Sequence, residues 1–130
     1  MAKVKPKLIF ARDYWTCALC ANEYQDGSLV PHHRANRGMG SNPEADTPSN
    51  VLSLCSLCNG LIESDAIEAT RARRFGIKIS KFDAAIAGLI PVAMPIHGTK
   101  TRAWKVLDNK YGVEPATEAH LDSIARMEDN

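Results

Sequence analysis

The sequence lacks any long apolar segment, since no hydrophobic run approaches the roughly 18 residues that are needed to span a membrane. We also expect no secretion signal, because the basic segment 1–7 is followed by neither a long apolar stretch nor a small-residue cleavage site. We therefore expect a cytoplasmic protein without a membrane partner. In that reducing compartment, paired cysteines more often bind metal than form disulfides.

Aromatic residues are also scarce, at 6% of a 130-residue chain that is 45% hydrophobic. This length fits one domain with a mainly aliphatic core, which a bound metal would help to stabilise. The net charge of +1 gives no support by itself for a nucleic-acid partner. Three basic groups could contact phosphates or form solvated surfaces: Lys3, Lys5, Lys7 and Arg12; Arg71, Arg73, Arg74, Lys78 and Lys81; and Lys100, Arg102 and Lys105.

All four cysteines lie in two C-x-x-C motifs, Cys17 with Cys20 and Cys55 with Cys58. A two-residue spacing lets one backbone turn direct both sulfur atoms to a single ion, and two such motifs complete a structural zinc site with no open ligand position. Two disulfides or buried free thiols are the alternatives. The 34 residues between Cys20 and Cys55 exceed the usual zinc-ribbon spacing, so a segment must be inserted between the motifs.

The inserted segment contains two adjacent histidines, His32 and His33. On a strand their side chains would point to opposite faces, so one could bind a metal while the other contacts a substrate, or one could only pack. Asn59 directly follows the last cysteine, at the expected start of a helix. Asn50 lies at the exit of a glycine-rich loop, where asparagine commonly fixes the backbone by hydrogen bonds.

Local patterns predict a mixture of short strands and helices. The expected strands are residues 29–34, 51–54, 77–80, 104–107 and 111–113, and the expected helices are residues 58–62 and 66–75. Asp65 and Glu68 form a capping-box pattern before the second helix, and Gly76 would end it in a left-handed conformation. Pro115 would begin a terminal helix whose apolar face contains Leu121, Ile124 and Met127.

Two segments carry a family resemblance. The first reads Leu-Val-Pro-His-His at 29–33, and the second reads Asn-Val-Leu-Ser-Leu-Cys-Ser-Leu-Cys-Asn at 50–59. Their motifs and spacing resemble the zinc-containing branch of the HNH endonucleases, and residues 34–41 resemble the loop of small HNH proteins from tailed bacteriophages. The resemblance covers about residues 15–76.

This resemblance implies an α+β fold with a treble-clef-like ββα-metal core. The core, with a basic N-terminal arm, would occupy residues 1–76, and a small C-terminal α/β extension would occupy residues 77–130 of the same domain. By analogy it also implies a phage-encoded protein in the host cytoplasm, with a role in DNA processing or near the packaging terminase.

In the HNH family one divalent ion is bound against the scissile phosphate. The resemblance makes His33 the general base, His32 and Asn59 the metal ligands, and Asn50 the residue that braces the loop. The reverse assignment, with His32 as the base, would leave Pro31 at the ligand position, and proline cannot bind a metal.

Arg34 and Arg37 lie beside these residues and could hold flanking phosphates or be simply exposed. A ligand set of histidine and asparagine contains no carboxylate, so we expect Mn²⁺, Ni²⁺ or Co²⁺ to support activity better than Mg²⁺. The expected function is DNA cleavage, as a nick or a double-strand cut. A non-catalytic zinc-binding module for nucleic acid or protein is the alternative, and an RNA nuclease would use the same site.

Overall fold

A computed structural model describes residues 4–38 and 42–122 of the chain. The fold is mixed α+β with two small antiparallel sheets. Its elements in chain order are α1 (Pro6–Arg12), β1 (Leu29–His33), a 3₁₀ helix (Pro48–Asn50), β2 (Val51–Cys55), α2 (Ser56–Ser64), α3 (Ala66–Arg74), a 3₁₀ segment (Lys81–Leu89), β3 (Val92–Pro95), β4 (Arg102–Leu107) and β5 (Val113–Pro115). None of the described helices is long and apolar enough to cross a membrane.

β1 and β2 form an antiparallel hairpin in which His33 lies opposite Val51 and Leu29 lies opposite Cys55. All five residues of β2 are buried, as its continuous apolar run predicts. α2 follows β2 directly, and the Cys55 sulfur accepts a hydrogen bond from the Cys58 backbone N–H in the first turn. The chain therefore runs strand, strand, helix through the second C-x-x-C motif.

One hydrophobic core joins the two halves of the chain. It contains buried residues from the first cysteine motif, the hairpin, α2 and α3, together with residues from β3 and β4. Its larger aliphatic members are Leu19, Leu52, Leu54, Ile62, Ile77, Val92 and Leu107. The described part of the C-terminal half therefore packs against the hairpin and its helix.

α3 begins and ends as its sequence predicts. Asp65 Oδ1 accepts hydrogen bonds from the backbone N–H groups of Ile67 and Glu68, at 2.9 and 3.1 Å. The chain then reverses at Gly76, whose φ is +74°. A Cβ at this position would overlap the carbonyl oxygen of Pro91, so both backbone conformation and packing require glycine.

The prediction of a strand at residues 77–80 is wrong. Ile79 forms only an isolated bridge to Ala35. The reason is that this segment contacts the end of β1 through single hydrogen bonds: Ile79 N–H donates to the Arg34 carbonyl, and the Ile77 carbonyl is occupied by the His32 side chain.

The prediction that Pro115 starts the terminal helix is also wrong. Pro115 ends β5 and lies opposite Lys105 of β4 in the register, at the edge of a three-stranded sheet where a residue without an N–H is tolerated. The last described helical residues are 118–122. Ile124 and Met127, which were expected on that helix, lie outside the described residues.

Arg34 is a structural residue, and its prediction as a phosphate ligand is wrong. Only 1% of the residue is exposed. All five N–H groups of its guanidinium donate to backbone carbonyls, at 2.7 to 3.4 Å. The acceptors are the carbonyls of Ser49, Gly76, Ala87, Ile90 and Pro91. This buried cation therefore joins the end of β1 to three later segments of the chain.

We expect Arg34→Lys to destabilise the fold by about 3 kcal/mol or more, because an ammonium cannot satisfy five carbonyls and each buried acceptor left without a donor costs about 1–3 kcal/mol. Urea-induced unfolding followed by circular dichroism measures this. The control is Arg37→Lys, at an exposed position where the change should stay within about 0.5 kcal/mol. Equal stabilities for the two variants would contradict the structural role of Arg34.

Candidate metal centre and candidate active site

The structure brings the four cysteines together into one cluster. The sulfur atoms of Cys17, Cys20, Cys55 and Cys58 all lie within 4.8 Å of one another, and none of them forms a disulfide. A tetrahedral zinc ion with bonds of about 2.3 Å requires sulfur atoms roughly 3.8 Å apart, so the cluster fits zinc. No other group of this kind occurs within residues 4–38 and 42–122. The four cysteines therefore could hold a structural metal ion such as zinc.

The first cysteine motif is connected to both sheets. Ala18 N–H donates to the Ser53 carbonyl of β2 at 2.9 Å. From β4, the Arg102 guanidinium donates to the carbonyls of Ala18 and Leu19, while its carbon lies 4.2 Å from the ring centre of Phe75. The backbone between the first two sulfur atoms is thus fixed by contacts that do not involve the thiols.

Burial opposes ionisation of the thiols unless a cation is bound. Burial raises the pKa of Cys17 to about 11 and raises the pKa of Cys58 further. Burial also acts to raise the pKa of Cys20, but hydrogen bonds from the Tyr24 hydroxyl and the Asn22 backbone lower it to about 7. Four thiolates in one small volume repel each other, so a divalent ion is needed to hold them all deprotonated.

His32 is buried, and one nitrogen of its ring is held by a hydrogen bond. Its Nε2 donates to the Ile77 carbonyl at 3.0 Å, which leaves the lone pair on Nδ1. Burial lowers the pKa of this imidazole to about 4, so the ring is neutral at physiological pH. The Asn59 side chain interacts with the same ring. A neutral imidazole that donates its other N–H to a backbone carbonyl is typical of a metal ligand.

His33 lies in a different environment, although it is the next residue of β1. Its side chain is 22% exposed, and its Nε2 lies 3.1 Å from Oδ1 of Asp46. Because an ionised carboxylate only accepts hydrogen bonds, Nε2 is the donor, and in the neutral form of this ring Nδ1 carries the lone pair. The strand alternation expected from the sequence thus gives the two histidines different partners, a buried carbonyl for one and a loop carboxylate for the other.

Both histidines line an open pocket of about 270 Å³. α2 contributes Asn59 and Glu63, which are four residues apart and therefore share one face of the helix. The Lys78 ammonium also lines the pocket, 3.4 Å from Glu63 Oε1. The structure thus brings together three of the residues that the resemblance selected, His32, His33 and Asn59.

Glu63 is the residue that the sequence reasoning missed. The pair His32 and Asn59 contains no carboxylate, but Glu63 lines the same pocket, and its charge raises the pKa of the His32 imidazole against the effect of burial. Its position could have been found from the sequence, since a helix that starts near Asn59 places residue 63 one turn later on the same face.

Asn50 lies behind the pocket, fully buried. Its side-chain oxygen accepts from Ala35 N–H at 2.8 Å, and its amide nitrogen donates to the carbonyls of Ala35 and Ala45, at 3.0 and 2.8 Å. This one side chain therefore joins the residue that follows Arg34 to the residue that precedes Asp46. The two ends of the loop that follows His33 are fixed relative to each other.

The two arginines predicted beside the site differ in exposure. Both residues line the pocket, but Arg37 is exposed there, whereas Arg34 is buried and its guanidinium is occupied by backbone carbonyls. A phosphate bound in this pocket would therefore meet Arg37 and Lys78 as its cationic neighbours.

A larger depression of about 740 Å³ lies between the end of α1 and the β3–β4 hairpin. Arg12 is paired there with Asp13 at 2.8 Å, and His97 Nε2 lies 2.9 Å from a carboxylate oxygen of Glu23. None of the predicted site residues lines it. The volume of a pocket therefore does not identify the candidate site. The candidate site is chosen because His32, His33, Asn59 and Glu63 line one pocket.

We expect the purified protein to contain about one zinc ion per chain, and Cys55→Ser to lose both the ion and the fold. The control is Ser56→Ala, at the neighbouring exposed position, which should retain both. Elemental analysis gives the zinc content, circular dichroism gives the folded fraction, and Co²⁺ substitution reports tetrahedral thiolate coordination by its visible absorption. A protein that folds without metal would contradict a metal centre. So would a protein whose cysteines form disulfides, which leaves no free thiols after unfolding without reductant.

Comparison with known proteins supplies no relative: the chain matches no protein-family model, no curated protein sequence and no solved structure. The function must therefore be argued from the residues of the pocket and the cysteine cluster.

Proposed function

We propose that this protein is a metal-dependent endonuclease of the HNH type that hydrolyses phosphodiester bonds of DNA. The observation that supports this most directly is a single open pocket lined by His32 and His33 of β1 and by Asn59 and Glu63 of α2. The order strand, strand, helix agrees with a ββα-metal core. The four-cysteine cluster agrees with the zinc-containing branch of that family.

The side chains of the pocket are suited to one divalent ion. His32 offers the Nδ1 lone pair of a neutral imidazole, Asn59 offers an amide oxygen, and Glu63 offers a carboxylate. A divalent ion held by these groups would polarise the phosphate and stabilise negative charge on the departing 3′ oxygen. The zinc ion would have a separate role, because four thiolates leave no position open for water or phosphate.

Glu63 changes the metal preference that the sequence suggested. The sequence favours transition metals over Mg²⁺ because a ligand set of His32 and Asn59 contains no carboxylate, and Glu63 adds a carboxylate to the same pocket. A mixed set of nitrogen and oxygen ligands suits Mn²⁺, while the carboxylate also allows Mg²⁺. We now expect cleavage with both ions.

His33 is the proposed general base. Its Nδ1 takes a proton from water while the water oxygen bonds to phosphorus and the bond from phosphorus to the 3′ oxygen breaks. The departing 3′ oxygen then takes a proton from solvent, so the products carry a 5′ phosphate and a 3′ hydroxyl. Arg37 and Lys78, at the same pocket, supply the positive charge that holds the phosphates on either side of the cleaved bond.

We expect His33→Ala to lower the rate of plasmid nicking by about 10²- to 10⁴-fold, because general-base catalysis contributes a factor of that size. The assay uses the purified full chain with Mn²⁺ or Mg²⁺. Zinc content and unfolding free energy should match those of the wild type, because the imidazole is partly exposed and hydrogen-bonds to a carboxylate of a loop.

Two results would contradict the proposal in different ways. Equal cleavage by the wild type and His33→Ala would mean that His33 is not the base. No cleavage of DNA or RNA with any divalent ion would favour a non-catalytic zinc-binding module, and cleavage of RNA alone would change the substrate.

We also expect Glu63→Gln to raise the Mn²⁺ concentration that gives half-maximal cleavage by about 10-fold or more, since an amide binds a hard cation less strongly than a carboxylate. Glu114→Gln, at an exposed position in β5, removes the same charge away from the pocket and is the matched control. The same metal dependence in both variants would remove Glu63 from the ligand set.

A further inference from the structure

The carboxylate of Asp46 is the only side-chain partner of the His33 ring among the hydrogen bonds of the described residues. Oδ1 lies 3.1 Å from Nε2, and the two side chains are 26% and 22% exposed. Asp46 belongs to the loop between β1 and β2, thirteen residues after His33. The contact therefore depends on how this loop is folded back towards the strand.

Burial and hydrogen bonds hold the backbone on either side of Asp46. Ala45 is fully buried, and its carbonyl accepts a hydrogen bond from Asn50 at 2.8 Å. The backbone N–H of Ala45 donates to the Asn42 carbonyl at 3.1 Å, and that of Asp46 donates to the Pro43 carbonyl at 3.2 Å. The Asp46 carboxylate thus extends from a turn whose backbone is fixed on both sides.

We propose that Asp46 is a positioning residue for His33: its carboxylate accepts the Nε2–H, fixes the ring in one tautomer and orientation, and directs Nδ1 to the pocket. The inference rests on the proposed nuclease function and adds to it a residue that touches neither phosphate nor metal.

This arrangement also gives Asn50 a role in the reaction. Asn50 forms hydrogen bonds with Ala35, two residues after His33, and with Ala45, the residue before Asp46. It therefore helps to set the separation between the base, His33, and the Asp46 carboxylate. Without Asp46 the imidazole could rotate and exchange its proton between the two nitrogens, and only part of the protein would present an unprotonated Nδ1 to water.

The first test compares steady-state cleavage by Asp46→Ala, Asp46→Asn and Glu44→Ala. We expect Asp46→Ala to lower kcat by about 10- to 100-fold while KM for DNA and zinc content stay unchanged. Asp46→Asn retains an acceptor oxygen and should recover a large part of that loss. Glu44→Ala removes the same charge from an exposed position of the same loop and should behave as the wild type.

A wild-type kcat in Asp46→Ala, a change in KM alone, or the same loss in Glu44→Ala would overturn the positioning role. The nuclease proposal would stand in each of these cases, because it depends on cleavage by the wild type and its loss in His33→Ala.

The second test does not depend on activity. Nitrogen-15 NMR of the histidine rings should find His33 protonated on Nε2 and bare on Nδ1 in the wild type, with tautomer exchange in Asp46→Ala. A His33 that already exchanges between tautomers in the wild type would overturn the inference. If the wild type cleaves nothing with any metal, the proposed function fails, and this measurement still decides whether Asp46 fixes the ring.

Discussion

The architecture around the pocket depends on the way in which the end of β1 is held by the backbone at residues 76 and 77. Two neighbouring residues make this connection, His32 through the Ile77 carbonyl and Arg34 through the Gly76 carbonyl. A buried guanidinium is stable only when all its donors are used, so Arg34 also requires the later segments to present their carbonyls to it. His33 lies between these two fixed residues, and its position on the strand is therefore set before any ligand binds.

Two further constraints act on the same hairpin from its opposite ends. The four-cysteine cluster joins the residues before β1 to the start of α2, so a metal ion bound there fixes the helix that contains Asn59 and Glu63. At the other end, Asn50 joins the two sides of the loop that contains Asp46. Strand, helix and loop thus present their side chains to one pocket with little freedom to move apart.

Residues of the same type have different environments around the pocket, and the residue type alone does not reveal the difference. Arg34 and Arg37 lie three residues apart in the sequence and line the same pocket, yet the guanidinium of Arg34 is buried against backbone carbonyls and Arg37 is exposed. The two adjacent histidines differ in the same way, because His32 is buried and neutral while His33 is partly exposed beside a carboxylate. Glu63 adds a carboxylate to the imidazole nitrogen and amide oxygen of the same pocket.

The sequence by itself determined the cysteine pairs, the alternation of the two histidines, the strand before Cys55 and the cap and end of α3. Each is a local pattern, in which residues a few positions apart specify a turn, a strand or a helix terminus. Only the tertiary structure decided that Arg34 is buried, that residues 77–80 are not a strand and that Asp46 contacts His33. Those outcomes depend on carbonyls and side chains 13 to 57 residues away, and a local pattern does not specify which distant group will satisfy a buried donor. Glu63 belongs partly to each group. The sequence shows its helical spacing from Asn59, but the packing of α2 against the hairpin decides that Glu63 lines the pocket.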